Sequence, residues 1–498
     1  MNRVALALAL IPFSAAAATL EVGPGKPFSK PCAAIAAAQP GDVIEVDAAG
    51  NGTYDGDHCA WSTDQLTVRG VHGRARIDAG KVQANIAQDK GIFVIYAPNA
   101  TVESFELSGA VDDPNSKNGA GIRHQGLNLV VRDCYFHDNE DGILGGPLEN
   151  GQNADGQGSV EIDNSEFSHN GHGDGYSHNM YLGHYAHFTL RASYSHGALV
   201  GHLVKSRALE NRILYNRITD EPGTTASYEL DLPNGGLSYV IGNLIEQGAQ
   251  TQNSGIVTYA EEGGTNPDQH LFFVNNTVVN DLNKGTFVAV AGNTPAQLTN
   301  NVFVGSGTVT TQANAMQQGN WVAAMMGDPK LVNPAAFDYH LAAGSPCIDQ
   351  GVDPGMANGQ LLAPDSEYVH PASSEARAVV GKAIDVGAYE FGNQPPPDGG
   401  AAADLATAND LAMAVAVDSA MAPTGDSAIA PADMAVASDM APAPDFARAG
   451  DFGAAGDSGA GTSPDGCSCG IGGRPARPHA ALFLALAALA FVARRRRR

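Results

Sequence analysis

The sequence predicts an all-β solenoid, a fold in which short strands stack as successive coils, and three observations support this prediction. Glycine accounts for 59 of the 498 residues and only 16% are charged, a composition that fits many short strands joined by turns. Phrases with a strand–polar turn–strand pattern recur at separations of 23 to 33 residues, as expected for stacked coils. The positions that align these phrases are Phe105, Cys134, Ser165, Ser193, Asn216, Asn243, Asn276 and Asn301.

The third observation is that the last four of these aligned positions are all asparagine. Side-chain amides that stack in phase hydrogen-bond from one coil to the next and satisfy the backbone of the turns. A single asparagine would be explained by a turn alone, but four in phase favour a ladder inside the solenoid. Because a solenoid grows by adding coils, one such body can accommodate a chain of this length.

The first 18 residues have the features of a secretory signal peptide. Arg3 precedes an apolar run from Val4 to Phe13, and the small residues Ala16 and Ala18 are placed for cleavage after position 18. We therefore expect residues 1–18 to direct export. A buried N-terminal helix is the alternative.

Export makes disulfide bonds possible in the part of the chain that follows. Four cysteines lie between the signal peptide and residue 392, and they permit three pairings. Cys32 and Cys59 are close in sequence, so we expect them to form a disulfide at the start of the fold. Cys134 and Cys347 are expected to be reduced and buried.

Both ends of the predicted solenoid carry characteristic phrases. At the start, an Ala-rich helix from about Cys32 to Ala38 is followed by a Pro-Gly-Asp turn and the strand Val43 to Val46. At the end stand DYHLAAGSPCIDQG, from Asp338 to Gly351, and DVGAYEFG, from Asp385 to Gly392. These phrases resemble the cap and closing segments of right-handed parallel β-helix proteins of the pectate-lyase-like kind. The resemblance implies a single-stranded right-handed parallel β-helix over residues 19–392, with a small N-terminal helical cap.

The composition changes after this body. Residues 393–466 are rich in Ala, Pro, Gly, Ser and Asp and poor in aromatic residues. A segment of this kind buries too little apolar surface to offset the entropy of ordering. We expect a disordered acidic linker.

The last segment, residues 467–498, has three parts. Cys467 and Cys469 precede a short apolar run from Ala480 to Ala493, and five arginines follow. The run is shorter than the roughly 20 residues of a full membrane span. This arrangement resembles the C-terminal sorting signals of myxobacterial surface proteins, which combine a Cys motif, a short membrane helix and an Arg cluster. The resemblance implies retention at the cell surface with Cys467 as the anchoring or processing site. An uncut anchor helix is the alternative.

The richest stretch in polar chemistry lies near the centre of the repeats, where seven of the 15 histidines fall between His169 and His202. Strand side chains alternate between the two faces of a sheet. If Met180, Leu182, Val204, Leu230 and Ile256 point inward, a polar set points outward. Neighbouring coils are about 4.8 Å apart, so this set would form one patch. The outward set is Asn179, Tyr181, Lys205, Arg207, Glu229, Asp231, Tyr259 and Glu261.

This patch suggests β-elimination on a uronic-acid polymer, and the favoured function is therefore a polysaccharide lyase. Elimination needs a cation for the carboxylate, a base for the C5 proton and an acid for the leaving oxygen. Arg207 can hold a carboxylate in a bidentate fork, and Lys205 can act as the base. Tyr181, His184 and His202 are candidates for the acid, while the remaining polar residues would bind substrate: Asn179, Glu229, Asp231, Tyr259 and Glu261.

A short phrase agrees with this assignment. The stretch VGHLVKSRALENRILYNRI resembles a phrase of the alginate- and chondroitin-lyase-like group, whose catalytic lysine would correspond to Lys205. The arginine of that family's next coil is replaced here by Tyr228, Glu229, Leu230 and Asp231.

Four other interpretations remain open. In the first, Lys205 and Arg207 pair with Glu229 and Asp231 as a salt-bridge ladder between coils. Glu229 and Asp231, about 6.5–7 Å apart on one face of a strand, would suit an inverting hydrolase. The histidines with Asp174 and Glu229 would form a metal site, but no tight ligand motif is present, so turn and surface histidines are favoured and no metal site is expected. Ca²⁺ is possible at the turn from Asp138 to Asp141. A non-catalytic polysaccharide-binding adhesin is the fourth.

The formal charge of −25 argues against nucleic acid as a partner. We expect a monomer whose partners are a polysaccharide and, through the C-terminal segment, the membrane at the outer cell surface.

Overall fold

The computed structural model describes residues 17–325 and 327–393, and here the chain winds through three long sheets. Each full coil visits the first, second and third sheet in turn, and equivalent strands of successive coils pair in parallel. The predicted all-β solenoid is confirmed. The predicted signal peptide, linker and C-terminal anchor fall almost wholly on residues 1–16 and 394–498, which lie outside the described residues.

The sheets contain 12, 10 and 10 strands. The first consists of Thr19–Val22, Val43–Asp47, Leu66–Val71, Asn99–Glu103, Asn128–Arg132, Gln157–Asp163, Tyr185–Arg191, Glu210–Leu214, Leu237–Ile241, Leu271–Val274, Gln297–Thr299 and Met316–Gln318. The second consists of Ala75–Asp78, Phe105–Ser108, Tyr135–His137, Glu166–Ser168, Tyr194–His196, Arg217–Thr219, Leu244–Gln247, Thr277–Asn280, Val302–Val304 and Trp321–Ala323. The third consists of Cys59–Trp61, Gly91–Ile95, Ala120–His124, Asp141–Gly145, Met180–Leu182, Val204–Ser206, Leu230–Leu232, Gly255–Tyr259, Thr286–Val290 and Thr308–Thr310.

Apolar side chains stacked from coil to coil fill the interior. In the second sheet, Phe136 and Phe167 are paired directly and their ring centres are 4.9 Å apart. The first sheet presents Val131, Ile162 and Leu190 in one register to the same core. Each strand is too short to be stable alone, so stability comes from this stacking between coils.

The predicted ladder lies at the corner between the first and second sheets. Asn243 donates from its backbone N–H and its Nδ2 to Asn276 Oδ1, both at 2.9 Å. Asn276 repeats this pattern with Asn301, at 2.9 and 3.0 Å. The ladder starts with Ser165 Oγ, which accepts from Cys134 N–H, and continues to Asn320. The amide ladder is therefore confirmed, and it is longer than predicted.

The N-terminal end is closed by one short helix, Pro31–Ala37, within one residue of the predicted bounds. Cys32 is bonded to Cys59, and the free Cys134 and Cys347 are both buried, as predicted. Short 3₁₀ turns occur at Ala48–Gly50, Gln83–Asn85 and Pro334–Ala336. Over residues 17–325 and 327–393, no helix has the length and apolar character required to cross a membrane.

The parallel coils end at Ala323, well before the predicted end of the β-helix at Gly392, and this corrects its extent. The residues that follow pack on the outside of the second sheet, where Tyr339 and Val386 cover Leu244, and of the first sheet, where Leu362 packs with Tyr239. The closing phrases thus form a lateral cover that protects sheet faces rather than further coils. The described residues also contain four antiparallel hairpins: Leu148–Glu149 with Gln152–Asn153, Leu331–Asn333 with Asp338–Leu341, Met356–Ala357 with Gln360–Leu361, and Ser366–Val369 with Ser373–Ala376.

Candidate active site

The outer side of the third sheet carries one continuous row of directly paired residues. Because Met180, Val204 and Leu230 lie in the hydrophobic core, the residue after each must point to the opposite side of the sheet. We call this row, which crosses six coils, the outer row. Its members are Arg123, Leu144, Tyr181, Lys205, Asp231 and Thr258.

Tyr181 and Arg207 are joined by a hydrogen bond. Arg207 Nε donates to Tyr181 Oη at 2.8 Å, and Arg207 Nη1 donates to Asn234 Oδ1 at 2.5 Å. Arg207 Nη1 also lies 2.7 Å from Glu262 Oε2. Burial acts to lower the pKa of Arg207, but the neighbouring Tyr181 and Glu262 raise it above its ordinary value. Arg207 is therefore a fixed positive charge, although it is only 8% exposed.

Lys205 lies between the aromatic ring and two carboxylates. Its Nζ is 5.3 Å from the centre of the Tyr181 ring, 3.6 Å from Asp231 Oδ2 and 3.9 Å from Glu262 Oε1. The residue is only 5% exposed. A lysine and an arginine are thus held within reach of one tyrosine, in a protein of strongly negative charge.

Asp231 is the anion at the centre of this cluster. Its Oδ2 lies 3.2 Å from His202 Nδ1, and its Oδ1 accepts a 2.6 Å hydrogen bond from Thr258 Oγ1. Burial acts to raise the pKa of Asp231, but His202, Lys205 and Thr258 together lower it to about 2. Asp231 is therefore a carboxylate at any physiological pH.

Two further histidines line the same face. His178 Nδ1 accepts a 2.9 Å hydrogen bond from His202 N–H, so this nitrogen is unprotonated. Burial, and then the charges of His202, Lys205 and Arg207, lower the pKa of His178 well below its usual range. Burial also lowers the pKa of the half-buried His184; Asp155 opposes this shift and Arg207 adds to it. Both rings are consequently neutral near pH 7.

The sequence placed three residues on this face that the structure places inside. Asn179 and Glu229 are fully buried at the bend that precedes a strand, in register with the core residue Leu203. The period-2 alternation does not extend across such a bend, so their predicted outward orientation is wrong. Tyr259 is also fully buried, and its hydroxyl donates to Gly236 O at 2.7 Å.

The error at Tyr259 is a register shift of one residue. Val257 pairs with Leu230 and Thr258 with Asp231, so Ile256 does not continue the row of Met180 and Val204 as predicted. A shift of one residue exchanges the two faces of a strand. Glu261 is accordingly exposed outside the cluster, and Glu262 makes the contact with the two cations.

Sequence reasoning missed four residues of the site: His178, Asn234, Thr258 and Glu262. Thr258 could have been predicted from the sequence. It is a β-branched residue in the strand GIVTY, and alternation from the inward Val257 places it outward. Asn234 and Glu262 lie in loops after strands, where periodicity gives no information about side-chain direction.

Glu229 belongs to the interior, which separates it from Asp231 and removes the carboxylate pair on one strand face that an inverting hydrolase would need. Neither of its carboxyl oxygens has a hydrogen-bond partner among the described residues. Burial, and then the negative charges of Asp220 and Glu246, raise the pKa of Glu229 well above 4.5. The folded protein therefore keeps this group protonated at a pH where the unfolded chain releases the proton.

We expect Glu229→Gln to be more stable than the parent protein near pH 8. A carboxyl whose folded pKa is raised weakens the fold as pH rises above its unfolded value of 4.5, and glutamine removes this dependence. The check is the thermal unfolding midpoint at several pH values between about 5 and 8, with exposed Glu149→Gln as the control. A stability difference that does not grow with pH would contradict the assignment.

No group of three or more His, Cys, Asp or Glu in the described part of the chain is arranged to hold a metal ion. Asp174 is 3.0 Å from Lys117 Nζ, and Glu229 faces the core, so the alternative of a histidine–carboxylate metal site is not assembled. At the turn suggested for Ca²⁺, Asp138 pairs with His137 and Asp141 Oδ1 accepts from His178 N–H.

The chain is similar to known proteins at the level of structure and not at the level of sequence family. No protein-family model and no curated protein matches it. The crystal structure of pectate lyase Pel9A is 16% identical, with a TM-score of 0.44, over 74% of this chain and 92% of that one. An alginate lyase from Paenibacillus sp. str. FPU-7 is 13% identical, with a TM-score of 0.34, over 62% and 99%. The assignment of the fold rests on the strand pairing of the chain itself.

Proposed function

We propose that the protein is a polysaccharide lyase that cleaves a uronic-acid polymer by β-elimination on the outer side of the third sheet. The observation that carries the proposal is the contact of Tyr181 with both cations: Arg207 Nε is 2.8 Å from its hydroxyl, and Lys205 Nζ is 5.3 Å from its ring centre. These groups match the three requirements of elimination, which are charge neutralisation, a base and an acid.

Arg207 would bind the uronate carboxylate. Its guanidinium already holds the Glu262 carboxylate at 2.7 Å, so the site has the charge and donors that such a group needs. Glu262 lies in a loop and is partly exposed, so a substrate carboxylate can take its place. Neutralising the carboxylate makes the neighbouring C5 proton easier to remove.

The two proton transfers would involve Lys205 and Tyr181. In the proposed step Lys205 first gives one proton to solvent, and its Nζ then accepts the C5 proton, while the electron pair of the C5–H bond forms the C4=C5 double bond. The bond from C4 to the glycosidic oxygen breaks, and Tyr181 Oη gives its proton to this leaving oxygen. Arg207 stabilises the resulting phenolate through its Nε–H, and a proton passed from Lys205 restores the site.

Tyr181 fits the acid better than the histidines. Its oxygen accepts from Arg207, and within the described residues no acceptor is bonded to its own O–H. The lowered pKa of His184 leaves its ring neutral, and a neutral imidazole is a weak proton donor. His202 contacts Asp231, and Asp231 in turn contacts Lys205. We therefore assign His202 and Asp231 to positioning Lys205, the base.

A non-catalytic polysaccharide-binding protein is the second candidate. The observation that favours it is that both cations already face carboxylates, Asp231 and Glu262. Incubating the purified protein with a panel of uronate and neutral polysaccharides separates the two functions. Absorbance of unsaturated ends together with new reducing ends supports the lyase, and binding without either product supports the adhesin. Reducing ends without that absorbance would indicate a hydrolase and overturn both.

We also propose that the protein is exported and held at the outer cell surface by residues 467–498. Deleting these residues is expected to release the protein into the medium, because the apolar run from Ala480 to Ala493 and the arginines that retain it are removed. Cell fractionation of the full-length and truncated proteins gives the measurement. Cys467→Ser should also release the protein if the cysteine is the anchoring residue. Identical fractionation of the truncated and parent proteins would contradict the anchor.

A further inference from the structure

Arg123 stands out on the outer row because no carboxylate of the described residues lies within ion-pair distance of its guanidinium. It pairs in register with Val94 on one side and Leu144 on the other, so it lies on the same face as Tyr181 and Lys205. It is 8% exposed. Its Nε and Nη1 are buried without a hydrogen-bond partner, and it makes no ion pair within the described residues. A buried guanidinium normally forms several hydrogen bonds, because its desolvation is otherwise uncompensated.

Two carboxyl groups, Asp141 and Asp112, interact with the charge of Arg123, but neither of them neutralises it. Burial raises the pKa of Asp141 to about 8, so this group is mostly protonated near neutral pH, and its Oδ1 already accepts from His178 N–H at 2.8 Å. Asp112 acts on Arg123 only from beyond ion-pair distance. Burial lowers the pKa of Arg123, but a guanidinium stays protonated in proteins. Arg123 therefore keeps its positive charge and its unpartnered donors for a group from outside the chain.

The position of Arg123 relates it to the candidate active site. It lies three strands from Lys205, which is about 14 Å at the usual spacing between neighbouring strands. The residues between them, Leu144 and Tyr181, are half-buried and offer an apolar and aromatic floor. An extended sugar chain along the outer row would cross this floor with its anionic groups toward Arg123 at one end and Arg207 at the other.

We propose that Arg123 is an anion subsite that binds a carboxylate or sulfate of a polyanionic glycan, three strands away from the reacting bond. The identity of the polymer rests on the proposed function, whereas anion binding at Arg123 does not. Planar bidentate donors suit both carboxylate and sulfate oxygens.

Inorganic sulfate tests the anion site without any assumption about the polymer. The full-length protein is expected to gain thermal stability on sulfate titration, and Arg123→Gln is expected to lose the part of this gain that exceeds the general stabilising effect of sulfate and any binding at Arg207. Arg212→Gln, which removes an arginine paired with Glu210 on the first sheet, should keep it. Without sulfate, Arg123→Gln should be at least as stable as the parent, because it removes an unpaired buried charge. An equal sulfate effect in Arg123→Gln, or its destabilisation without sulfate, would overturn the subsite.

Oligouronates of increasing length test the link to the active site. Affinity in the parent protein should rise once the oligomer spans from Arg207 to Arg123, and Arg123→Gln should lower it about 10- to 100-fold for long oligomers only. A length gain that persists in Arg123→Gln overturns the subsite. If sulfate binding requires Arg123 but no oligouronate binds the parent, the uronate-lyase proposal fails while the anion site stands. Sulfated oligosaccharides should then show the length gain.

Discussion

Replacing Lys205 by alanine is expected to lower kcat by about 10²- to 10⁴-fold, the usual contribution of a general base. The affinity for an oligouronate should change much less, because Arg207 keeps its hydrogen bonds to Tyr181 and Asn234. Lys205→Arg should be equally inactive, since a guanidinium is not deprotonated in proteins. Initial rates of unsaturated-product formation, measured at saturating and at low substrate, separate the two effects.

The control for this substitution is Lys284→Ala, which removes an exposed lysine in a turn and should leave the rate unchanged. Lys205 also faces Asp231, and its loss leaves that buried carboxylate with less positive charge nearby. Thermal unfolding of the variant must therefore show that it is folded at the assay temperature. A folded Lys205→Ala that keeps the full rate would show that the base is another residue.

The largest expected effect on stability comes from the asparagine ladder. Asn276→Ala orphans Asn243 N–H and Val240 O, and all three residues are buried. Asn243 Nδ2 also loses its bond to Asn276 but keeps the one to Ile213 O. Each orphaned buried group costs about 1–3 kcal/mol, so we expect a loss of about 2–6 kcal/mol in the free energy of unfolding. The readout is the shift of the chemical or thermal unfolding midpoint.

Asn115→Ala is the matched control, because Asn115 lies in an exposed turn outside the ladder. It should move the midpoint little. Ladder variants that are as stable as this control would mean that the amides merely fill a corner and that coil stacking is held by the apolar core alone.

Most of the fold could be predicted from the sequence, because the asparagine pattern that marks it repeats in successive coils. The ladder asparagines stand in phase, and a single error in one coil does not obscure the pattern set by Asn216, Asn243 and Asn276. The lateral cover formed by residues 331–393 was not predicted, because it does not repeat. Residues 331–393 have no period, and their packing on Leu244 is a contact between distant parts of the chain.

The site was predicted only where strand alternation applies. Tyr181, Lys205 and Asp231 lie within strands, and their outward direction followed from the core residues beside them. Glu229 lies one residue outside a strand, at a bend, and its direction could not be derived in this way. The partners that decide the electrostatics, such as Glu262, reach the site from loops, which explains why the contacts of Arg207 were missed.

The mass balance of a cleaved oligouronate of defined length tests elimination at this site most directly. Elimination only redistributes the atoms of the substrate, whereas hydrolysis adds one water molecule. We expect the masses of the two products to sum to that of the substrate, with one product carrying the new double bond, and no product to form with Lys205→Ala. Products that sum to the substrate plus one water, or a panel of oligouronates that all remain intact, would contradict the proposed lyase.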